Sequence, residues 1–303
     1  MAGKTLHIFD VAPFCHAGSV NRYARFEQTI EVGSTWRTQV TPAGGVSLIF
    51  NQLYYVCNDD CVFCCDRNPT IKKDMQRSYK GNREHKRTIQ IQKAVAEYVI
   101  DKCGGLVIAR AGYEADDIIY SLIQEQHDNY DNIYVYTGDS DLFFLVDNVV
   151  SIRPSSTRAK SVDLYNYEDV TGLKYNCTTM SKIIKGDSSD GVPALPKDRQ
   201  GALAEFFYAS DKMFPRLGDK EFVMEWMQTL FPNELSQAEM IFPLDVEDLP
   251  KEMRSIDSTM VASFGNAMRN SKFAGMGSPT FDVMPYVKEM QDKGYYMEDD
   301  FNG

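Results

Sequence analysis

Four short apolar runs in the first half of the chain each end in acid, and this pattern constrains the fold more than any other feature. KTLHIF (4–9) leads into Asp10, and CVFCC (61–65) into Asp66. GLVIA (105–109) passes through a short turn into Glu114, Asp116 and Asp117, and NIYVYT (132–137) runs into Asp139 and Asp141. Continuous apolar runs of this length read as strands buried on both faces. Between them Val46, Ile49, Phe50 and Leu53, then Ile91, Val95, Tyr98 and Val99, recur at helical spacing, and EADDIIYSLIQEQ (114–126) is a further helix. The alternation predicts an α/β fold, a central, mostly parallel sheet flanked by helices. Ligands in such sheets bind beyond the carboxyl ends of the strands, and that is where all seven acids fall.

Any one of these acids has an ordinary explanation, since EADD suits a helix N-terminus and GDSD an N-cap turn. Their convergence on one edge does not. Like charges brought together must be protonated or neutralised by a counter-charge. The counter-charge that suits carboxylate oxygens is Mg²⁺ or Mn²⁺. Two such ions about 4 Å apart form the clamp used for in-line phosphodiester hydrolysis. IIKGDSSDGVPALPKDRQG (183–201) then bears on the same site: Asp187 and Asp190 supply the ligands that a second ion still lacks.

The charge distribution agrees. The net charge is −11, yet nine Lys or Arg lie between Arg67 and Lys93 against two acids, Asp74 and Glu84. A basic island in an acidic chain is a local footprint for phosphate. From about residue 175 the strand-like runs fade into helices broken by FP, FPL and GSP, which places a boundary near 170–178. The Met-rich C-terminal half fits helix packing. Four of the seven cysteines crowd into CNDDCVFCCD (57–66), where a zinc site competes with a buried strand, and the strand is preferred because no second pair stands at ligand spacing. No apolar run approaches a membrane span, and the N-terminus carries no signal-peptide pattern, so a cytoplasmic protein without a membrane partner is expected. No GxGxxG or GxxxxGK[ST] occurs, and FDVAPF lacks the second Asp of an aspartyl-phosphate phosphatase.

FD (9–10), FCCDRNP (63–69), YKGNR (79–83), GYEADD (112–117), TGDSDLFFLV (137–146) and GDSSDGVP (186–193), in this order, resemble the successive motifs of the 5′-nuclease family of flap endonucleases and 5′–3′ exonucleases. The resemblance spans roughly residues 4–200. It implies a PIN-like nuclease domain over 1–175 with a helical arch at about 67–102. A smaller helical domain, 176–303, would carry a degenerate DNA-binding hairpin at about 181–210. The first metal site of the family falls on Asp10, Asp66, Glu114, Asp116 and, less directly, Asp117. The second falls on Asp139, Asp141, Asp187 and Asp190. Two Mg²⁺, replaceable by Mn²⁺, are thus implied, with Asp116 and Asp139 as catalytic positions. Lys80 and Arg83 match residues that contact the scissile phosphate, while Lys72, Lys73, Arg77, Lys86 and Arg87 would line the arch.

The chain departs from the family after Asp190. GVPALPKDRQG lacks the paired glycines whose backbone N–H groups hold duplex phosphates, which leaves a K⁺ ion at the hairpin without a basis and turns to Lys197 and Arg199 for side-chain contacts. Size, the eroded hairpin and the IIKGD…D stretch are similar to T-even phage enzymes of the RNase H type. The implied activity is hydrolysis near 5′ ends of DNA and RNA–DNA hybrids, removing primers and flaps in the host cytoplasm as a monomer. The tail YYMEDDFNG is a candidate dock for a sliding clamp or single-strand-binding protein. A non-catalytic flap-binding protein on the same fold is the alternative, and retention of nine carboxylates weighs against it.

Overall fold

The computed structural model describes residues 3–246 apart from 20–24, 33, 43, 57–58, 78, 82–86, 156–158, 174–177, 202–203 and 205–219. In chain order it runs β1 (Thr5–Asp10), α1 (Val11–Ser19), β2 (Arg25–Val32), β3 (Thr35–Pro42), α2 (Gly44–Val56) and β4 (Asp60–Cys64). Next come α3 (Thr70–Met75), α4 (Arg87–Lys102), β5 (Leu106–Ile108), α5 (Ala115–Gln126), β6 (Asn132–Thr137), a 3₁₀ turn at Ser140–Leu145 and β7 (Val150–Pro154). Two short helices, α6 (Tyr167–Thr171) and α7 (Thr178–Lys185), precede the helices Lys220–Leu230 and Leu235–Ile241.

β1, β4, β5, β6 and β7 form one sheet in the order β5-β4-β1-β6-β7, every neighbouring pair parallel. The chain therefore builds outward from β1 on one side through β4 and β5, then returns to build on the other through β6 and β7. β1, β4, β5 and β6 are the apolar runs of the sequence. β7 was not foreseen, because VSIRP carries Arg and Pro; its edge position accommodates a proline that a central strand would not. Also unforeseen is the antiparallel hairpin of β2 and β3, registered Gln28 against Gln39, which forms a sheet of its own.

Alternation along β1 sends Leu6 and Ile8 to one face, where they pack with Val62, Cys64 and the α5 residues Ile118, Ile119 and Leu122. Phe9 faces the other way, among Phe14, Ile49, Phe50, Phe63, Val95 and Val99 from α1, α2, β4 and α4. It stacks on Tyr136 with ring centroids 4.3 Å apart and on Phe63 at 5.0 Å. The same alternation bears on the zinc reading, whose ligands would be Cys57, Cys61 and Cys64: Cys64 lies in the first cluster and Cys61 in the second, so these two do not share an ion. Cys57 lies outside the described residues. Of the span 67–102, residues 87–102 form α4, whose Val95, Ala96, Val99 and Ile100 face is buried in the core.

His7 sits on the aromatic face of β1, 3.1 Å from the Tyr136 hydroxyl and 3.1 Å from Asp59. Burial depresses its pKa below 6.5 against the opposing pull of Asp59. A depressed value means that the unfolded chain takes up the proton first as pH falls. The stability that neutral His7 contributes is thus complete above pH 6.5 and is lost as pH drops through the folded pKa. The stability difference between the parent chain and His7→Gln should accordingly shrink between pH 7.5 and 5.5, about 1 kcal/mol of change being expected. Urea midpoints at the two pH values measure it, and a pH-independent difference would contradict the assignment.

Candidate functional site

Each acid reaches the carboxyl edge of the sheet from a different element. Asp10 ends β1; its carboxylate is buried and accepts hydrogen bonds from Thr137 Oγ1 (2.9 Å) and the Ala12 N–H (3.3 Å). Asp66, just beyond β4, accepts the Ala115 N–H at 3.0 Å and Lys93 Nζ at 2.7 Å. Glu114 and Asp117 open α5, and Asp117 accepts both the Glu114 N–H (2.9 Å) and the Leu244 N–H (2.7 Å). Asp139 follows β6; its N–H donates to Thr137 Oγ1 at 3.0 Å and its carboxylate accepts the Asp141 N–H at 3.0 Å. Thr137 thereby ties Asp10 to Asp139 across the junction of β1 and β6.

GDSSDGV is a tight turn. Asp187 and Val192 exchange backbone hydrogen bonds of 2.9 and 2.8 Å, and the Asp187 carboxylate accepts the Ser189 and Asp190 N–H groups at 2.8 and 3.3 Å. Gly186 makes the turn possible: its φ is 71°, and a Cβ there would lie 2.4 Å from the Pro193 carbonyl carbon. The turn places Asp187 and Asp190 beside Asp116 and Asp141 around a void of about 10 Å³, close to the size of one water. The Tyr79 hydroxyl donates to Glu114 at 2.7 Å and lies 3.2 Å from Asp190, joining the two groups of acids.

The cost of this crowding shows in the acids. Desolvation, followed by the charges of Asp66 and Asp139, holds Asp10 well above the ordinary carboxyl range; desolvation, then Asp139 and Asp10, does the same to Asp116. Elsewhere lysines offset it. Lys93 on Asp66 outweighs burial and lowers that pKa. Lys80 and Lys72 do so for Glu114. At Asp187 the hydrogen bonds of Ser189 and Lys182 overcome burial and bring the pKa down to about 2. Lys182 also pairs with Asp141, and Lys80 pairs with Glu114 and, at 3.6 Å, with Asp190. Lys80 adopts a left-handed backbone, φ 51°, costing roughly 1 kcal/mol for a non-glycine residue, with its N–H donated to the Asp190 carbonyl at 2.9 Å.

A cleft of about 640 Å³ opens beside the acids, lined by Asp66, Glu114, Lys73, Lys80 and Lys93 among others. Among the described residues no three His, Cys, Asp or Glu side chains converge closely enough to hold one ion, and the lysines stand between them. The donor set nonetheless fits a hard divalent cation. It is all oxygen, Asp10 is buried without an ionic partner among the described residues, and a water-sized void lies among Asp116, Asp141, Asp187 and Asp190.

The basic residues divide. Lys72, expected to line a nucleic-acid path, is buried instead between Glu114 (3.2 Å) and Asp117 (3.1 Å), so it is a structural cation. Asp117, fully buried and shared between Lys72 and two backbone amides, is a positioning residue. Lys73 reaches Asn68 at 2.6 Å in the cleft wall, Arg77 and Lys197 are exposed, and Arg199 pairs with Glu234 at 3.4 Å. Arg83, His85 and Lys86 lie outside the described residues, as does the Arg87 side chain and everything beyond 246, including the acidic tail. Lys93, Lys182, Thr137 and Tyr79 were not singled out from sequence. Only Lys182, five positions before Asp187 and on a helix ending there, carried a local signal.

Residues 24–172 match the profile described as 5′-3′ exonuclease, N-terminal resolvase-like domain, ending before Asp187 and Asp190. The chain is 34% identical over 129 residues to a 5′-3′ exonuclease of Streptomyces coelicolor, covering 39% of this chain and 42% of that protein. It is 31% identical over 150 residues to a DNA polymerase I of Caldicellulosiruptor bescii, covering 46% of this chain and 18% of that one. The chain thus spans less than half the length of either relative. In fold it is similar to the T5 D15 protein co-crystallised with metal ions, with TM-score 0.55, 14% identity and coverage of 88% of this chain and 99% of that one. A T5 5′-exonuclease with bound zinc gives TM-score 0.54 at 15% identity over 88% of this chain and 99% of the other.

Two substitutions probe the scaffold of the site. Lys72→Met leaves Glu114 and Asp117 buried without their cation and should cost about 3–5 kcal/mol, seen as a lower urea midpoint; unchanged stability with lost nucleic-acid binding would return Lys72 to the surface role. Gly186→Ala combines the left-handed backbone with a clash against Pro193 and should cost at least about 2 kcal/mol, measured the same way.

Proposed function

We propose that this chain, whose residues 24–172 belong to the 5′-3′ exonuclease N-terminal, resolvase-like family, is a divalent-metal-dependent 5′-nuclease. It cuts phosphodiesters near 5′ ends and at flap junctions of DNA and RNA–DNA hybrids. In kind it is the phage RNase H type of enzyme, which clears primers and flaps from lagging-strand fragments. The observation that carries this reading is the approach of carboxylates from the sheet edge (Asp10, Asp66, Asp139), the start of α5 (Glu114, Asp116) and the Gly186 turn (Asp187, Asp190) beside a cleft lined with lysines.

Asp10, Asp66, Glu114 and Asp116 would hold one Mg²⁺, and Asp139, Asp141, Asp187 and Asp190 a second. When bound, these ions supply the Lewis acidity that favours water as a nucleophile and stabilises the departing oxygen. The chain's own groups do the rest. Water adds to phosphorus as the P–O3′ bond breaks, giving a 5′-phosphate and a 3′-hydroxyl. Lys80, in the cleft wall, and Arg83 offset the charge that grows on the phosphate oxygens. Asp117 and Thr137 keep the carboxylates of α5, β1 and β6 in place. Lys73 and Lys93 present positive charge to the phosphates on either side of the cut.

Cleavage of 5′-labelled and internally labelled flap, nicked and RNA-primed duplexes tests the proposal. Activity should appear near the 5′ end or the junction with Mg²⁺ or Mn²⁺, vanish with EDTA, and fall by roughly a thousandfold in Asp139→Asn or Asp116→Asn while DNA binding persists. Lys80→Ala should slow turnover more than it weakens binding. Structure-specific binding without any cleavage would leave the non-catalytic flap-binding protein in its place.

A further inference from the structure

Resting on the nuclease reading above, we infer that a second cleft, across α1 from the lysine-lined one, is a nucleoside subsite. It takes the base and sugar of one nucleotide next to the bond that is cut. Its volume is about 500 Å³, inside the span of roughly 300–1,000 Å³ usual for small-molecule sites.

α1 is a ridge between two clefts of different chemistry. Val11 and Ala12 line the lysine-lined cleft, Pro13 and Ala17 line the second, and His16 lines both. The first cleft carries Arg67, Lys73, Lys80 and Lys93. Among the described residues that line the second, Lys160 is the one lysine or arginine, and it is exposed. Apolar side chains from three elements make the walls: Pro13 and Ala17 of α1, Phe143 of the 3₁₀ turn, and Ile152 and Pro154 of β7.

The base of this cleft is continuous with the acid edge. Thr137 and Asp139 line it, and the Thr137 hydroxyl is the group shared between Asp10 and the Asp139 N–H. The Ser155 N–H donates to the Thr137 carbonyl at 3.2 Å and so fixes the end of β7 beside the end of β6. Gly138 lies where α1 and this segment meet. A Cβ there would stand 2.9 Å from Ser155 Oγ and 3.2 Å from Pro13 Cβ, so the close approach that forms the base needs a residue without a side chain.

A nucleic-acid strand alternates charged phosphates with neutral, flat bases. A phosphate drawn to the cation-rich cleft beside the acids leaves its base and sugar to be housed close by. The second cleft is the neighbouring space that suits them: little charged, walled by apolar groups, and sharing Thr137 and Asp139 with the reacting edge. Phe143, half-buried, supplies an aromatic ring, and bases stack on such rings whatever their identity. Lys160 supplies a charge for an adjoining phosphate. The subsite therefore positions the strand without reading its sequence.

Flap and nicked duplexes in which each nucleotide around the junction is replaced in turn by an abasic one test this with the full chain. In the parent, kcat/KM should fall by roughly tenfold at one position and little elsewhere. Ala17→Leu fills the cleft from the α1 side, and Phe143→Leu keeps apolar bulk but removes the ring. Each should lose about the same factor on the intact strand and show no further loss at that abasic position, because residue and base act as one pair. Lys73→Ala, in the other cleft, should weaken cleavage of both strands alike and retain the abasic penalty. Cleavage that no abasic position affects, or a penalty that persists in full in both leucine variants, would overturn the inference and leave the nuclease reading standing. If Ala17→Leu does not fold, Phe143→Leu carries the comparison. Absence of cleavage by the parent would overturn the nuclease reading instead. Fluorescence anisotropy of the same strands in EDTA then decides the subsite: a binding loss at one abasic position, cancelled in the leucine variants, supports it, and uniform binding overturns it.

Discussion

The repulsion among carboxylates gathered at one edge of a parallel sheet is the constraint on which the rest of the structure depends. Two like charges a few ångströms apart in a protein interior oppose each other by several kcal/mol. Nine acids could not be held there without compensation. Four lysines from four segments provide it: Lys72 on α3, Lys80 in the turn after it, Lys93 on α4 and Lys182 on α7. At Asp10 and Asp116, which have no ion pair among the described residues, burial and the neighbouring carboxylates force the carboxyl pKa values upward.

The sheet order explains why the acids meet at all. β1 lies at the centre, with β4 on one side and β6 on the other, so the loops leaving these strands open onto a common crevice. Asp10, Asp66 and Asp139 follow directly from that topology. Glu114, Asp116 and Asp117 are added by the first turn of α5. Asp187 and Asp190 come from outside the sheet and depend on the Gly186 turn and on Tyr79, which bridges Glu114 and Asp190. The strained backbone of Lys80 belongs to the same joint, since its N–H is fixed to the Asp190 carbonyl.

One consequence is that basic residues near the site have two separate duties. Those lining the cleft, Lys73, Lys80 and Lys93, are available to phosphate. Lys72 is fully committed to buried carboxylates, and so contributes to stability rather than recognition. Charge count along the basic segment could not separate them, because Lys72 and Lys73 are neighbours on one short helix and differ only in which side of it they occupy.

The sequence by itself determined the strands, the helices between them and the acids at the strand ends, because these are local: an apolar run, a helical period and a following carboxylate are all visible within a dozen residues. Four of its six motifs, those at 63–69, 79–83, 112–117 and 137–146, lie within residues 24–172, the span that the 5′-3′ exonuclease profile matches. The hairpin β2–β3 and the edge strand β7 escaped, since neither is a continuous apolar run and their pairing is what makes them strands. Tertiary structure alone decided which lysine faces which acid. Lys93 meets Asp66 across 27 positions, Lys72 meets Glu114 across 42, and Tyr79 meets Asp190 across 111. Pairings at such separations are set by the packing of whole elements, and the charge of a single residue does not encode its partner.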